Sequence, residues 1–252
     1  MNIDLKGKTA LVTGGSRGIG RAVAIRLGEC GARVAINYVR NTAAAEETVK
    51  RIRAVGGEAL AIKANVGRDE HIERMFAQIA EEWGGRMDIL VSNAASGVIK
   101  PAMELTWRHW DWTMGINAAT LLPLTQRAKP LMRQGGSIVA ISSLGALRAI
   151  PMYAAVGASK AALESLVRHL AVELAGDGIR VNAVSAGVVD TDALAHFPHR
   201  DDIMGNSQLK TPAGRLTEPN DVADVVLFLV SPLAKMVIGQ TVTVDGGYSV
   251  LA

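Results

Sequence analysis

The chain has 252 residues, 49% of them apolar and 20% charged, with a formal charge of +3, which excludes intrinsic disorder, a collagen-like repeat and a long coiled coil. Its basic residues are dispersed, with no zinc-finger spacing and no RNA-binding motif, so nucleic-acid binding is not expected. No apolar run has the length of a membrane span or a secretory signal, and the single cysteine, Cys30, excludes an intramolecular disulfide, so we expect a cytoplasmic protein that does not bind membranes.

Short apolar runs alternate with segments of helical periodicity along the chain. Strands are predicted at residues 9–12, 33–39, 58–64, 88–92, 137–142, 180–185 and 240–244. Helices are predicted at residues 21–27, 43–55, 70–83, 107–132, 152–175 and 220–229. Because parallel strands need crossover helices, we expect an α/β fold: one Rossmann-type, doubly wound parallel sheet of about seven strands with helices on both faces. No linker-like stretch interrupts the pattern, so residues 1–252 are predicted to form a single domain.

Residues 188–218 are the one long stretch without a clear period. Because long connections in compact domains are usually functional, we predict a substrate-binding loop or lid here, with Ala193, Leu194 and Phe197 facing the substrate. His196 and His199 flank a proline in this stretch, and no cluster of carboxylates or thiols completes a ligand set, so no metal is expected.

A glycine-rich turn follows the first predicted strand and precedes the first helix. A backbone without Cβ atoms can approach a pyrophosphate closely, and the helix N-terminus offers it unpaired N–H groups and the positive end of the helix dipole. Taken by itself, the motif is also compatible with a simple turn. Its position in an alternating α/β chain favours a bound nucleotide, with contacts from Gly14, Ser16, Arg17, Gly18, Ile19 and Gly20.

Several motifs together resemble the short-chain dehydrogenase/reductase family over essentially the whole chain. They are Thr13 with the Gly-x3-Gly-x-Gly turn, Ser92-Asn93-Ala94-Ala95, Asn117, Val181-Asn182-Ala183-Val184-Ser185-Ala186-Gly187 with Ala186 for the usual proline, and Asp245-Gly246-Gly247. The resemblance implies a nicotinamide cofactor and a homotetramer. It also implies further cofactor contacts from Tyr38, Asn65, Val66, Asn93, Ala94, Ala95, Lys160, Val189 and Thr191. Asn65 and Val66 would lie along the adenine, and Thr191 near the nicotinamide carboxamide.

The end of the second predicted strand indicates which nicotinamide cofactor binds. It reads Asn37-Tyr38-Val39-Arg40 and lacks the acidic residue with which many NAD-binding proteins hold the adenosine ribose. Arg17 and Arg40 could flank a 2′-phosphate, so NADPH is the predicted cofactor. If both arginines are only solvated surface charges, the cofactor preference would be weak.

The tyrosine and lysine of the family's catalytic helix have an unusual spacing here. The common pattern is Tyr-x3-Lys, whereas this chain has Tyr153-x6-Lys160, with Val156 where the usual tyrosine would stand. Seven residues are almost two helical turns, so both side chains share a helix face, with the hydroxyl about one turn further from the lysine. The carbonyl oxygen of a 2-enoyl thioester lies three bonds from the carbon that accepts hydride, two bonds further than the oxygen of a ketone, and a displaced tyrosine can reach it. The alternative is that Tyr153 is a core aromatic residue and Lys160 a surface cation.

Within the family, the Tyr-x6-Lys spacing resembles the enoyl-[acyl-carrier-protein] reductases of fatty acid synthesis. The run from Ser142 to Tyr153, the segment Asn93-Ala94-Ala95-Ser96-Gly97 and the stretch His109 to Met114 are most similar to the type III, NADPH-dependent group. This resemblance implies reduction of a trans-2-enoyl thioester bound to acyl carrier protein or CoA. Ser143 stands where many enoyl reductases have a second tyrosine, which leaves a 3-oxoacyl or general carbonyl reductase as the alternative.

The predicted catalytic residues are therefore Tyr153, Lys160, Ser143 and Asn117. Tyr153 would stabilise the enolate oxygen, and Ser143 would offer it a second hydrogen bond. Lys160 would bind the nicotinamide ribose and assist the tyrosine as a fixed cation. Asn117 either orders a proton relay or only holds its helix. A nucleotide-binding sensor without catalysis is a further alternative, against which the complete Tyr, Lys and Ser set argues.

Overall fold

A computed structural model describes residues 3–191 and 200–251 of the chain. Seven parallel strands form one sheet in the order β3-β2-β1-β4-β5-β6-β7. The strands are β1 (Thr9–Val12), β2 (Arg33–Tyr38), β3 (Glu58–Lys63), β4 (Ile89–Ser92), β5 (Gly136–Ser143), β6 (Ile179–Ala186) and β7 (Thr241–Val244). The helices are α1 (Gly18–Glu29), α2 (Thr42–Ala54), α3 (Asp69–Trp83), α4 (Trp107–Met114), α5 (Leu121–Ala128), α6 (Ala154–Leu174), α7 (Arg200–Lys210) and α8 (Pro219–Val230). The predicted fold class is confirmed.

The hydrophobic core consists of two layers, one on each side of the sheet. Successive residues of β1 point to opposite faces, so Ala10 and Val12 enter one layer and Leu11 the other. Helices α1, α2 and α8 supply buried side chains to the first layer, and helices α3, α5 and α6 supply them to the second. Because both faces are covered, the strands are apolar throughout rather than alternating.

The strand order places a crevice at the glycine-rich turn. From β1 the chain moves through β2 to β3 and then crosses to β4 on the other side of β1. Ligands of open α/β sheets bind at such a switch point, outside the carboxyl ends of the strands. Here the backbone N–H of Thr13 donates to the carbonyl of Val91 at 3.0 Å, so the turn after β1 adjoins the segment after β4.

The helix predicted at residues 107–132 is not continuous. Helix α4 ends at Met114, a π-helical turn covers Gly115–Ala119, and α5 follows before a 3₁₀ turn at Lys129–Leu131. The apolar period continues through the π turn, so periodicity does not reveal the break. Such π-helical turns are frequent at functional sites, and this one contains Asn117.

Residues 188–218 are not irregular throughout, because α7 lies within them. The prediction missed this helix because it presents no apolar stripe. Leu209 is 86% exposed, and Ser207 is one of its buried residues. The substrate-lid role stays a prediction, and Ala193, Leu194, Phe197, His196 and His199 lie outside the described residues.

Within the described residues, no helix is both long and apolar enough to cross a membrane.

Candidate active site

A cavity of about 1420 Å³ opens at the carboxyl ends of the central strands. The residues predicted to bind the cofactor all line it: Gly14, Ser16, Arg17, Gly18, Ile19, Gly20, Tyr38, Arg40, Asn65, Val66, Asn93, Ala94, Ala95, Lys160, Val189 and Thr191. Ser143 and Tyr153 line the same cavity, whereas Asn117 does not. The fold therefore brings the glycine-rich turn and three of the four predicted catalytic residues into one cavity.

The glycine-rich turn is packed against Asn93. The side-chain amide of Asn93 donates to the carbonyls of Thr13 at 2.8 Å and Gly14 at 3.1 Å. A Cβ on Gly20 would lie 2.4 Å from both the Asn93 amide nitrogen and the Gly14 carbonyl oxygen. Gly18 has a φ of +54°, which side chains rarely adopt. The turn therefore needs glycine both for close packing and for its backbone conformation.

The N-terminus of α1 is suited to an anion. Gly18 begins the helix, no side chain caps it, and its first turn contains no acidic residue. The first N–H groups of a helix have no partner within the helix, and the dipole makes this end positive. Gly18, Ile19 and Gly20 line the cavity, so this turn forms a cradle of the kind that binds a pyrophosphate.

The segment after β2 presents cations to the cavity and no carboxylate. The exposed Arg40 lines the cavity there, and the segment from Asn37 to Asn41 contains no Asp or Glu. The exposed Arg17 lines the cavity from the glycine-rich turn. The side chain of Asn41 caps α2 by accepting from the Ala44 N–H at 3.0 Å. Two guanidinium groups therefore line this end of the cavity, where the segment after β2 adds no carboxylate, and this arrangement favours a phosphate.

Asn37 is a structural contributor that the sequence prediction missed. Its Oδ1 accepts from the Gly14 N–H at 3.4 Å, and its Nδ2 donates to the carbonyl of Ala64 at 2.8 Å. This buried amide ties the glycine-rich turn to the end of β3. The asparagine directly after the apolar run of β2 is the sequence feature that could have indicated this structural role.

Ser143 and Tyr153 meet across the cavity. Their hydroxyl oxygens lie 3.4 Å apart, with Ser143 at the end of β5 and Tyr153 immediately before α6. A Cβ on Gly145 would lie 2.5 Å from the Tyr153 ring, so the ring occupies space that only glycine leaves open. Burial raises the pKa of Tyr153, and its hydrogen bond with Ser143 acts in the opposite direction. The phenol therefore keeps its proton at neutral pH and can donate it in a hydrogen bond.

Lys160 follows Tyr153 by seven residues and lies within α6, whereas Tyr153 precedes this helix instead of lying on its surface as predicted. The Lys160 side chain is buried in the cavity wall. Its Nζ donates to the carbonyl of Ile141 at 2.7 Å, and the residue is 6% exposed. Burial lowers its pKa to about 8, while the negative charge of Glu164 acts to raise it. The ammonium has two further protons with which to bind a ligand. The alternative of a surface cation is wrong.

Asn117 holds two segments together behind the cavity. Its Oδ1 accepts from the Ser96 N–H at 2.8 Å, and its Nδ2 donates to Ser159 Oγ at 3.0 Å. The residue is 3% exposed and does not line the cavity. Of the two predicted roles, these contacts favour holding the helix.

The position of the family's usual tyrosine is closed off from the cavity. Val156 is buried and does not line the cavity. A Cβ on Gly97 would lie 2.4 Å from Val156 Cγ2 and 3.5 Å from Thr113 Cγ2. Residue 156 is thus part of the packing between α6, α4 and the segment after β4.

Other cavity residues were not predicted. The run before α6 contributes Arg148, Ile150 and Met152, the end of α7 contributes Lys210, and the C-terminal segment contributes Tyr248. The run before α6 carries only the resemblance, Tyr248 directly follows the Asp245-Gly246-Gly247 motif, and the segment of Lys210 carries no motif. Among the described residues, no group of three or more histidine, cysteine or acidic side chains could hold a metal ion.

Comparison with known proteins decides the family. The family model described as enoyl-(acyl carrier protein) reductase matches residues 14–249. The 1-cyclohexenylcarbonyl-CoA reductase of Streptomyces collinus is 40% identical over 247 residues, covering 97% of this chain and 88% of that protein. The chain belongs to the short-chain dehydrogenase/reductase family. Its seven-stranded sheet and glycine-rich turn are thus those of a short-chain reductase.

Other proteins similar to this chain carry names that refer to different substrates. A tropinone reductase homolog of Arabidopsis thaliana is 38% identical, covering 98% of this chain and 92% of that protein. The structure of 7α-hydroxysteroid dehydrogenase, complexed with NADH and 7-oxo glycochenodeoxycholic acid, is 34% identical with a TM-score of 0.92. That match covers 98% of this chain and 96% of the other. The relatives thus span several reductions within one fold.

Proposed function

We propose that this protein is an NADPH-dependent reductase of trans-2-enoyl thioesters, which forms saturated acyl thioesters in fatty acid synthesis. The observation that carries the proposal is the position of Tyr153, whose hydroxyl meets Ser143 in the cavity while residue 156 is packed away from it. The description of the matching family model agrees with this activity. The name of the Streptomyces collinus relative also denotes an unsaturated acyl thioester as substrate.

The residues that line the cavity support a nicotinamide dinucleotide as the cofactor. The cradle at Gly18, Ile19 and Gly20 would hold the pyrophosphate, and Arg17 and Arg40 would hold the 2′-phosphate of NADPH. Asn65 and Val66 would lie along the adenine, and Lys160 would bind the nicotinamide ribose. When bound, this cofactor supplies the hydride for C3 of the enoyl chain.

The chain's own groups would stabilise the charge that develops on the thioester oxygen. Tyr153 keeps its proton at neutral pH and would donate a hydrogen bond to that oxygen as it becomes an enolate. The enolate would then take a proton at C2 from solvent, which gives the saturated thioester. Ser143, 3.4 Å from the tyrosine hydroxyl, would donate a second hydrogen bond. Lys160 would add a fixed positive charge in a cavity wall where the dielectric constant is low.

A 3-oxoacyl or general carbonyl reductase is the second candidate. A serine and a tyrosine hydroxyl placed together can also bind the oxygen of a ketone. The relative named as a tropinone reductase homolog and the dehydrogenase structure that holds a 7-oxo compound favour this activity. The two candidates differ in where the hydride is added, so substrate preference separates them.

The test is NADPH oxidation with crotonyl-CoA and acetoacetyl-CoA, each compared with the same acyl group on acyl carrier protein. We expect a higher kcat/KM for the crotonyl thioester. Tyr153→Phe is expected to lower kcat for enoyl reduction by a factor on the order of 10² to 10³, because the hydroxyl acts mainly on developing charge. The NADPH affinity of this variant should stay within about twofold of the wild-type value. A preference for acetoacetyl thioester, or full enoyl activity in Tyr153→Phe, would show that the enoyl reductase assignment is wrong.

Assembly as a homotetramer is part of the proposal. Large apolar side chains are exposed on α4 and α5, among them Trp107 at 79% and Leu122 at 42%. Exposed apolar patches of this kind mark interaction surfaces. Light scattering should give four times the 26.6 kDa chain mass.

A further inference from the structure

A buried carboxylate lies one turn beyond Lys160 on α6. Glu164 is 5% exposed and Ser142 is 3% exposed. The Oε1 atom of Glu164 accepts a hydrogen bond of 2.6 Å from Ser142 Oγ. A buried charge destabilises a protein unless it is paired and hydrogen-bonded. Neither side chain has a part in the proposed chemistry, so this costly arrangement needs another explanation.

Ser142 is placed between two residues that contact the catalytic groups. The carbonyl of Ile141 accepts from Lys160 Nζ at 2.7 Å, and the hydroxyl of Ser143 meets that of Tyr153. All three are consecutive at the end of β5. The bond from Ser142 to Glu164 therefore fixes this strand end against α6, and with it the contacts of both Lys160 and Tyr153.

Glu164 is also the charged partner of Lys160. Burial lowers the pKa of Lys160, and the Glu164 carboxylate is the charge that raises it. The other titratable side chains on α6 and the elements packed against it are Tyr153, Arg108, His109, Asp111, Arg127, Arg168, His169, Glu173, Asp177 and Arg180. Residues four apart on a helix are neighbours, so Lys160 and Glu164 lie on the same face of α6.

We propose that Glu164 is a positioning residue that keeps the Lys160 amine protonated for cofactor binding and, through Ser142, holds the end of β5 in register with α6. The proposal rests on the proposed function only in that Lys160 binds the cofactor. It does not depend on which acyl or carbonyl compound is reduced.

Two variants separate the charge from the hydrogen bond. Glu164→Gln removes the charge but keeps an oxygen that can accept from Ser142, whereas Ser142→Ala removes the hydrogen bond and keeps the charge. The exposed Glu173, further along the same helix, supplies the control variant Glu173→Gln. NADPH affinity is measured by fluorescence titration from pH 6.5 to pH 9.0, which lies below the range in which an ordinary tyrosine titrates, and burial raises the pKa of Tyr153 further.

In the wild-type protein, NADPH affinity should fall with pH as Lys160 loses its proton. For Glu164→Gln we expect this fall about one pH unit lower, which makes affinity about five- to tenfold weaker at pH 8.5 and within about threefold of wild type at pH 6.5. In Ser142→Ala, NADPH affinity should fall at the same pH as in the wild type. This variant should lower kcat about tenfold at every pH, because the end of β5 is no longer held against α6. Glu173→Gln should match the wild type in both quantities.

The outcomes are decisive in either direction. An unshifted fall in Glu164→Gln, or a Ser142→Ala variant equal to wild type in kcat, overturns the proposal. If Glu164→Gln fails to fold, as judged by circular dichroism, Glu164→Asp replaces it: this variant keeps the charge, so a displaced fall in affinity would contradict the proposal. Cofactor affinity is the readout for Glu164→Gln, and kcat of Ser142→Ala is measured with whichever thioester the wild type reduces, so a failure of enoyl turnover would contradict only the proposed function.

Discussion

Two exposed arginines at the adenosine end of the cavity determine the proposed cofactor preference. Arg17 and Arg40 line the cavity at a place where the segment after β2 offers no carboxylate. Replacing either by alanine should weaken NADPH binding about tenfold and NADH binding less than about twofold, because each lost charge-assisted contact serves only the 2′-phosphate. Fluorescence titration with both cofactors checks this expectation. Equal losses for the two cofactors would mean that the arginines are ordinary surface charges.

At the reacting end, a single missing Cβ atom decides where the tyrosine ring can lie. In Gly145→Ala the new methyl group would lie 2.5 Å from the Tyr153 ring and displace it. We expect kcat to fall at least about tenfold while NADPH affinity is kept, because a small misplacement of a catalytic group is costly. Gly176→Ala is the matched control, since Gly176 also lies in a 3₁₀ turn and a Cβ there meets nothing within 4 Å. If Gly145→Ala keeps full activity, the ring does not depend on this space.

The beginning of α6 is the element that sets the unusual spacing. Tyr153 precedes the first helical residue, and Met152 before it has a φ of +63°, the only positive value among the non-glycine residues described. This conformation costs a non-glycine residue on the order of 1–2 kcal/mol. The helix therefore starts abruptly after a strained residue, and the tyrosine is positioned by the turn rather than by the helix surface.

The packing of α6 against its neighbours argues that a tyrosine at residue 156 cannot replace Tyr153. In the double variant Tyr153→Phe/Val156→Tyr, the new ring would have to enter the buried contact with Gly97 and Thr113. We expect no recovery of enoyl turnover relative to Tyr153→Phe, and a loss of about 1–3 kcal/mol in the free energy of unfolding from overpacking. Steady-state kinetics and urea unfolding measure the two quantities. Recovered turnover would show that the helix repacks to admit a tyrosine there.

For the molecule as a whole, the buried lysine makes stability depend on pH. The pKa of Lys160 is about 8 in the folded protein, against about 10.4 in an unfolded chain, so the unfolded state binds more protons between these pH values. The free energy of unfolding should therefore rise with pH through this window. Below about pH 8 the buried, protonated amine of Lys160 lowers the free energy of unfolding by its full amount, about 3 kcal/mol. Lys160→Met removes this dependence. Urea unfolding at pH 7 and pH 10 should show wild type gaining stability relative to the variant, and a relative loss would reverse the expected sign.

Much of the architecture follows from patterns within the chain. Strands β1 and β5 and helices α3 and α8 lie within one residue or so of their predicted bounds, because apolar runs and helical periods are local signals. Two features escaped prediction for opposite reasons. Helix α7 presents no apolar stripe, whereas the π turn at Gly115–Ala119 lies inside a continuous one.

The site divides in the same way. The glycine-rich turn, the absence of an acidic residue after β2 and the Tyr-x6-Lys spacing are properties of short segments, so the sequence by itself determined the fold class, the cofactor cradle and the displaced tyrosine. Contacts between distant segments were decided only by the tertiary structure. Ser142 meets Glu164, Asn117 meets Ser159 and Gly145 makes room for the Tyr153 ring because the sheet and α6 bring these residues together. Side-chain packing and buried charge depend on what surrounds a residue in space, and no local pattern records those surroundings.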